Sequence, residues 1–339
     1  MQLSDAWMIF VSLALAMYIV LDGYDLGIGV LTLIDRDSGR RREMQSLVAW
    51  TWDGNESWLV LLALTLWAGL PLVTGIALPA LYIPLVLMLW SLIARGVALE
   101  LIDQDDGWHP FWGPVFGIGS LVAACCQGAA FGALVAGFNV QGAAFVGGPF
   151  TFLHHGYAVL TGLTAVALYV LAGCAFVYLK SSGETQLRAA RIGRIAVGGL
   201  GAGTAASWLL APSAGLVTLH PGDTARLPIW IVGAVVLGAG LLFALRSFSG
   251  DPHARRSDRA PVLASLAVYG GGLLLAGGLE YPTLIPPSIT VHAAASPHTT
   301  LLFLIIGVGV CIPVILTYQA CSYWVFRGKL TIAQEAPVT

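Results

Sequence analysis

Residues 7–34 read WMIFVSLALAMYIVLDGYDLGIGVLTLI. Only Asp22 and Asp25 bring charge into a run of apolar and small residues longer than the roughly 20 that a helix needs to cross a bilayer. The pattern recurs. Apolar blocks between polar punctuation predict nine spans, at 7–34, 57–77, 79–102, 114–137, 155–179, 192–212, 228–247, 261–280 and 299–326. Pro71, Pro79 and Pro84 predict a tight hairpin and a kink where the second and third spans nearly fuse. Of the 339 residues, 57% are hydrophobic and 10% charged, with a mean hydropathy of +0.82. Soluble domains carry roughly 25% charged residues, so this chain cannot cover a water-facing surface. A cytoplasmic enzyme, a nucleic-acid binder and a disordered chain are excluded. The fold class is an all-α polytopic membrane protein.

The positions of the basic residues orient the spans. Arg36, Arg40, Arg41 and Arg42 follow the first span, and Lys180, Arg188, Arg191 and Arg194 surround the fifth-to-sixth connection. Arg246, Arg255, Arg256 and Arg259 lie between the seventh and eighth, and Arg327 and Lys329 follow the ninth. All fall on one side; only Arg226 falls opposite, and Arg95 lies inside a span. The positive-inside rule then puts the C-terminus in the cytoplasm and the N-terminus outside. The connections are too short for a soluble domain or a nucleotide-binding fold. The longest outer one, 281–297, carries Pro282, Pro286, Pro287 and Pro297, and reads as an extended, rigid cover over the helix ends rather than a catalytic lid. Ala14-Leu15-Ala16 is faintly like a signal-peptidase site, but Met1–Trp7 holds Asp5 and no Lys or Arg, so the first helix is expected to stay. Cys125, Cys126, Cys174, Cys311 and Cys321 lie in apolar segments without a CxxC and read as packing residues. No metal site is expected.

Charge inside a bilayer is costly and marks ion or proton paths. Here it concentrates in the first three spans. Asp22 and Asp25, spaced i, i+3, face one side of the first helix. Two close carboxylates in a low dielectric do not both ionise easily, so one is expected to hold a proton and the pair to pass protons. Alternatively, they accept backbone hydrogen bonds or neutralise a cation. Gly23, Gly27 and Gly29 would let another helix approach closely. In WTWDGNESW (50–58), Asp53 at an N-cap with Glu56 three residues on could be a capping pair. The crowding of Trp50, Trp52 and Trp58 instead suggests the membrane interface, where Asp53 would open a proton path. Arg95 requires an anionic partner. Glu100, five positions on, is poorly spaced for this, so a carboxylate from another helix is expected, the first-span aspartates foremost. Pairing and proton guidance both remain open. Glu100 would end the third span near the acidic run at 103–106.

The histidines are His109, His154, His155, His220, His253, His292 and His298, each in a loop or near the end of a span. Membrane haem proteins need axial ligands within helices, so this chain by itself is expected to bind no haem. His154-His155 reads as a solvated pair rather than a metal ligand.

Three motifs occur together and in order: Leu21-Asp22-Gly23-Tyr24-Asp25-Leu26-Gly27-Ile28-Gly29, Trp52-Asp53-Gly54-Asn55-Glu56-Ser57-Trp58-Leu59 and Arg95-Gly96-Val97-Ala98-Leu99-Glu100. With the nine-span layout, they resemble subunit II of cytochrome bd-type quinol oxidases. The short length and sparse loops are more similar to the cyanide-insensitive branch. The resemblance implies two four-helix bundles plus one extra helix, in the bacterial cytoplasmic (inner) membrane. It implies a partner, subunit I, holding b-type and d-type haem (or b-type only) and the quinol-oxidising loop. It leaves room for a small accessory subunit and implies contact with membrane lipids and quinone; no nucleic acid is expected. The complex would oxidise quinol and reduce O₂ in the aerobic respiratory chain. This chain would stabilise the haem-bearing subunit and contribute to cytoplasmic proton uptake without a catalytic residue of its own. By resemblance Asp53 matches the proton-route acid, and Asp25 and Arg95 the buried acid and arginine. Asp22, Glu56 and Glu100 complete the charged set, with Trp52, Gly54, Asn55 and Trp58 as motif support. A proton-coupled secondary transporter is the rival, although it should show charge in both halves of the chain. A structural subunit that binds lipid or quinone and has no proton role is the third reading.

Overall fold

In a bilayer every backbone polar group must be satisfied within the protein, so apolar runs of span length become helices. The structure, a computed structural model, describes residues 2–103, 109–211, 227–249, 258–286 and 289–329. The helices run α1 Leu3–Ile34, α2 Ser38–Val48, α3 Trp52–Gly69, α4 Pro71–Ala80, α5 Tyr82–Asp103 and α6 His109–Ala136. A hairpin of β1 Val140–Gln141 and β2 Ala144–Phe145 and a 3-10 turn at Thr151–Gly156 lead to α7 Tyr157–Lys180 and α8 Gly183–Leu210. Next come α9 Leu227–Phe248, α10 Ala260–Glu280, β3 Thr283–Ile285, β4 Ile289–Thr290, α11 Val291–Ala294 and α12 His298–Val325. Among the described residues, seven helices are long and apolar enough to cross a membrane, with α3 and α4 forming a broken pair. α8 is not among them because its first half carries Glu184, Arg188, Arg191 and Arg194.

One expectation is corrected here. The stretch 57–77 is not one straight helix: α3 stops at Gly69 and α4 leaves at 119°. Pro71 is the cause. It has no N–H to continue the ladder and forces Leu70 out of helical geometry, at φ −132°, ψ 59°. The carbonyls freed by the break find new donors, as they must in an apolar setting. Ser296 Oγ donates to Ala68 O at 2.7 Å and Ser296 N to Gly69 O at 2.9 Å. Thr74 Oγ1 adds a second bond, at 2.9 Å, to Leu66 O, which also accepts from Leu70 N. Separately, the 35–50 connection, to which the sequence reading assigns no secondary structure, holds a helix, α2, capped by the Asp37 side chain accepting from Arg40 N at 2.8 Å. Four buried residues (Met44, Gln45, Leu47 and Val48) dock it, too few to show as a periodic apolar signal.

α1 is the axis of the molecule. It packs on α3, α6, α7 and α12, so its second half from Asp22 to Thr32 is buried on every side. Small residues allow this. A Cβ on Gly173 of α7 would lie 2.6 Å from the Gly27 carbonyl carbon, and one on Gly29 would collide with Ser120 of α6. Two apolar clusters flank the axis. One combines α2, α5, α6, α7, α8, α9 and α10 with the end of α1, and the other combines α3, α4, α11 and α12 with its beginning. At the end of the bundle where α1 begins, the 281–297 connection forms the β3–β4 pair and α11. Tyr281 Oη donates to Asp5 Oδ1 at 2.9 Å, and Ser4 Oγ meets His292 Nδ1 at 2.9 Å.

Candidate functional site: one arginine among three carboxylates

Arg95 stands in the middle of α5, 1% exposed, and its Nη1 lies 2.9 Å from Asp22 Oδ1 of α1. The same nitrogen lies 3.5 Å from Glu56 Oε1 of α3. The guanidinium carbon sits 5.9 Å from the centroid of the Phe116 ring on α6. The expected partner from the first span is therefore present. A lone guanidinium here would cost several kcal/mol, and three helices converge to prevent it. Glu100 is not in this cluster; it lies exposed on α5.

Asp25, one helical turn past Asp22, is fully buried and faces Asn55 rather than Arg95. Asn55 Nδ2 donates to Asp25 Oδ2 at 2.8 Å. The same amide nitrogen lies 2.8 Å from Tyr24 Oη and 3.3 Å from Leu21 O. On its other side Asn55 Oδ1 accepts from Gln319 Nε2 of α12 at 2.6 Å and from Tyr323 Oη at 3.3 Å. The Tyr24 and Tyr323 hydroxyls also bond to each other, and Tyr24 Oη donates to Thr51 Oγ1 at 3.3 Å.

The first turns of α3 sort their residues by depth. Thr51 is the N-cap, so Asp53 lies inside the helix and does not cap it; the capping-pair reading is corrected. The chain turns two residues earlier than the motif suggests, leaving Asp53 exposed where a negative charge favours the helix N-terminus. Glu56 follows one turn in, its side chain 24% exposed, then Asp22 at 2% beside Arg95. Of the tryptophans, Trp50 is exposed and stacks on Phe326, Trp52 covers Gly96, and Trp58 is wholly buried. Gly54 presents its open side to Gln319 and Tyr318.

A second polar chain runs deeper. Tyr169 Oη of α7 donates to Gln127 Oε1 of α6 at 2.6 Å, and Gln127 Nε2 donates to Tyr18 Oη of α1 at 2.6 Å. Sequence reading did not single out these residues, nor Tyr24, Gln319 and Tyr323. Gln319 had a signal: the buried positions of α12 are Leu301, Val308, Ile312 and Gln319, a heptad-like seam with one polar member.

At the far end of α1, outside the apolar segment, Asp35 is 4% exposed and receives Arg40 Nη2 at 2.8 Å and Arg188 Nε at 2.8 Å. Burial alone would push its carboxyl up. The hydrogen bonds from Arg40 and the Asp37 amide, with the charges of Arg188 and Arg40, outweigh this and hold it below the ordinary value. Among the described residues no group of three or more His, Cys, Asp or Glu is arranged to hold a metal ion, and the five cysteines are free. The acidic run at 103–106, His109, His154, His155, His220, His253, Arg226 and Glu280 lie, wholly or in their side chains, outside the described residues.

The fold and this cluster define a polytopic helical membrane protein with an ionisable site built from its first three long helices and closed by its last. Residues 3–326 match the family described as cytochrome bd terminal oxidase subunit II, and the chain belongs to that family. It is similar to cytochrome bd-I ubiquinol oxidase subunit 2 of Escherichia coli K12, 28% identical over 96% of this chain and 94% of that protein. It is also similar to cytochrome bd ubiquinol oxidase subunit 2 of Bacillus subtilis 168, 26% identical over 100% of this chain and 99% of that one. In fold it matches a chain of the bd oxidase from Geobacillus thermodenitrificans, with a TM-score of 0.77, 16% identity and 96% and 99% of the two chains covered. The chain is thus a multi-pass protein of the bacterial cytoplasmic membrane, of a family whose members are part of quinol oxidase complexes.

Proposed function

We propose that this chain is the haem-free subunit II of a cytochrome bd-type quinol:O₂ oxidoreductase. In this reading it stabilises the haem-bearing subunit I and contributes to proton uptake from the cytoplasm. The nine-span topology, N-terminus outside and C-terminus cytoplasmic, belongs to it. α3 with α4 supplies the broken second span and the apolar part of α8 the sixth. The b-type and d-type haems of the partner, or b-type alone, supply electron transfer and oxygen reduction. Lipids and quinone surround the pair, with room for an accessory subunit.

What carries the proton role is the gradient of exposure along one path: Asp53 exposed, Glu56 24% exposed, and Asp22 and Asp25 buried. One guanidinium among three carboxylates is electroneutral when the three share two protons, so the cluster can take up and release a proton without leaving large net charge in the apolar interior. Asp53 would collect protons at the α3 start, Glu56 would carry them inward, and Arg95 would bind the acids together without itself titrating.

The test has two arms. A tagged chain purified gently from its native membrane should bring with it a second large subunit and a reduced-minus-oxidised haem spectrum; a colourless preparation without a partner would overturn the oxidase assignment. In the purified complex Asp53→Asn should lower oxygen consumption several-fold with haem content unchanged. Unchanged turnover and pH dependence would overturn the proton role.

A further inference from the structure

The acid path described above is contacted by a residue that none of the three sequence motifs contains, Gln319 of α12, which meets Asn55 of the second motif. Asn55 is fully buried, and its side-chain amide could in principle face either way round, since its two ends are nearly isosteric. Its surroundings permit only one orientation. On the α1 side lie acceptors, Asp25 Oδ2 and Leu21 O, with Tyr24 Oη. On the α12 side lie two donors, Gln319 Nε2 at 2.6 Å and Tyr323 Oη at 3.3 Å. Reversing the amide would press its oxygen against a carboxylate and a carbonyl. The Asn55 oxygen is thereby turned to α12, where Gln319 Nε2 meets it while Gln319 Oε1 stays buried without a partner, so Gln319 braces from behind the amide whose NH₂ meets Asp25.

Gln319 is itself 5% exposed and is the only polar residue in the buried seam of α12, where Leu301, Val308 and Ile312 occupy the other positions. A polar side chain in an apolar seam is costly to bury unless it is hydrogen-bonded, and it fixes one register of packing. Here the register it fixes is the one that delivers its NH₂ to Asn55. We infer that Gln319 is a positioning residue for Asp25, acting through Asn55, so that the last helix sets the hydrogen-bonding state of an acid on the first. Tyr323 is the weaker second donor to the same oxygen. This inference rests on the proton-uptake reading for its consequence in turnover, but not for its structural content.

The experiment uses the intact complex. Infrared difference spectra with pH identify the Asp25 carboxyl band as the one lost in Asp25→Asn. In Gln319→Leu, which keeps volume and removes the donor, that band should shift, and turnover should fall about two- to tenfold, the scale of one lost hydrogen bond. The fall should carry a displaced pH profile and should vanish when Gln319→Leu is added to Asp25→Asn, because both changes act on one group. Tyr323→Phe, a milder change, should shift the band the same way by less. A band that stays in place in both variants, or turnover losses that multiply in the double variant, would overturn the positioning role. Should the band shift while Asp25→Asn leaves turnover and its pH profile intact, the positioning stands and the role of Asp25 in proton uptake is what fails.

Discussion

Two regions of the molecule, the α1 face towards α3, α5 and α12 and the α9–α10 pair, hold their helices together by different means. Towards α3, α5 and α12 the buried interface is polar: Arg95, Asp22, Asp25, Asn55 and Gln319 meet there from four helices. Between α9 and α10 the contact is apolar backbone against backbone. A Cβ on Gly240 would lie 2.9 Å from Val268 N, and one on Gly233 2.9 Å from the Leu275 side chain. Without a hydrophobic effect between helices in lipid, close packing of small residues suffices to hold a pair. A polar cluster adds directional bonds whose cost is recovered only when every member is present. The first region is therefore suited to chemistry and the second to scaffolding.

Breaking the polar side should produce the largest effect. Arg95→Met leaves Asp22 buried without a counter-charge, so the complex should lose about 3–5 kcal/mol of stability; assembled haem-bearing complex recovered after detergent extraction would report it. If yield and melting temperature hold, the ion pair is not what closes the first region. On the apolar side, Gly240→Leu drives a side chain into the α10 backbone and should cost about 1–3 kcal/mol. Turnover per assembled complex should nevertheless stay at the native level. Lowered turnover per haem there would erase the division between chemistry and scaffold. The smallest effect belongs to the α1 end. Because the Asp35 carboxyl is held below its ordinary value of 3.8, its contribution is fully present above that pH and is lost as pH falls through the lowered folded value. Asp35→Asn should lower the melting temperature by a few degrees at neutral pH, and the gap from the native protein should close under acid. A gap that is constant into the acid range would remove the Asp35 ion pairs from the explanation.

Legibility in the sequence divides along the same line. The apolar runs of α1, α5, α6, α7, α9, α10 and α12 are one-dimensional signals, and their ends fall within a few residues of the predicted spans. The need of Arg95 for an acid on another helix follows from the cost of a bare charge in lipid, and Asp22 meets it. The α3–α4 break was half legible. Pro71 announces a kink, but the donors to the freed carbonyls come from Ser296, 228 residues beyond Ala68. The Asp53 cap was misread because a cap is decided by backbone geometry, here two residues away at Thr51.

What the amino-acid sequence determined by itself is the membrane class and the long apolar helix runs, because length and hydropathy are properties of local stretches. Only the tertiary structure decided that Asp22 takes the arginine while Asp25 takes an amide, that Glu100 stands apart, and that Gln319 completes the site. These pairings span 73 residues from Asp22 to Arg95 and 264 from Asn55 to Gln319. No local periodicity reaches so far. Such contacts are set by the packing that brings α1, α3, α5 and α12 together.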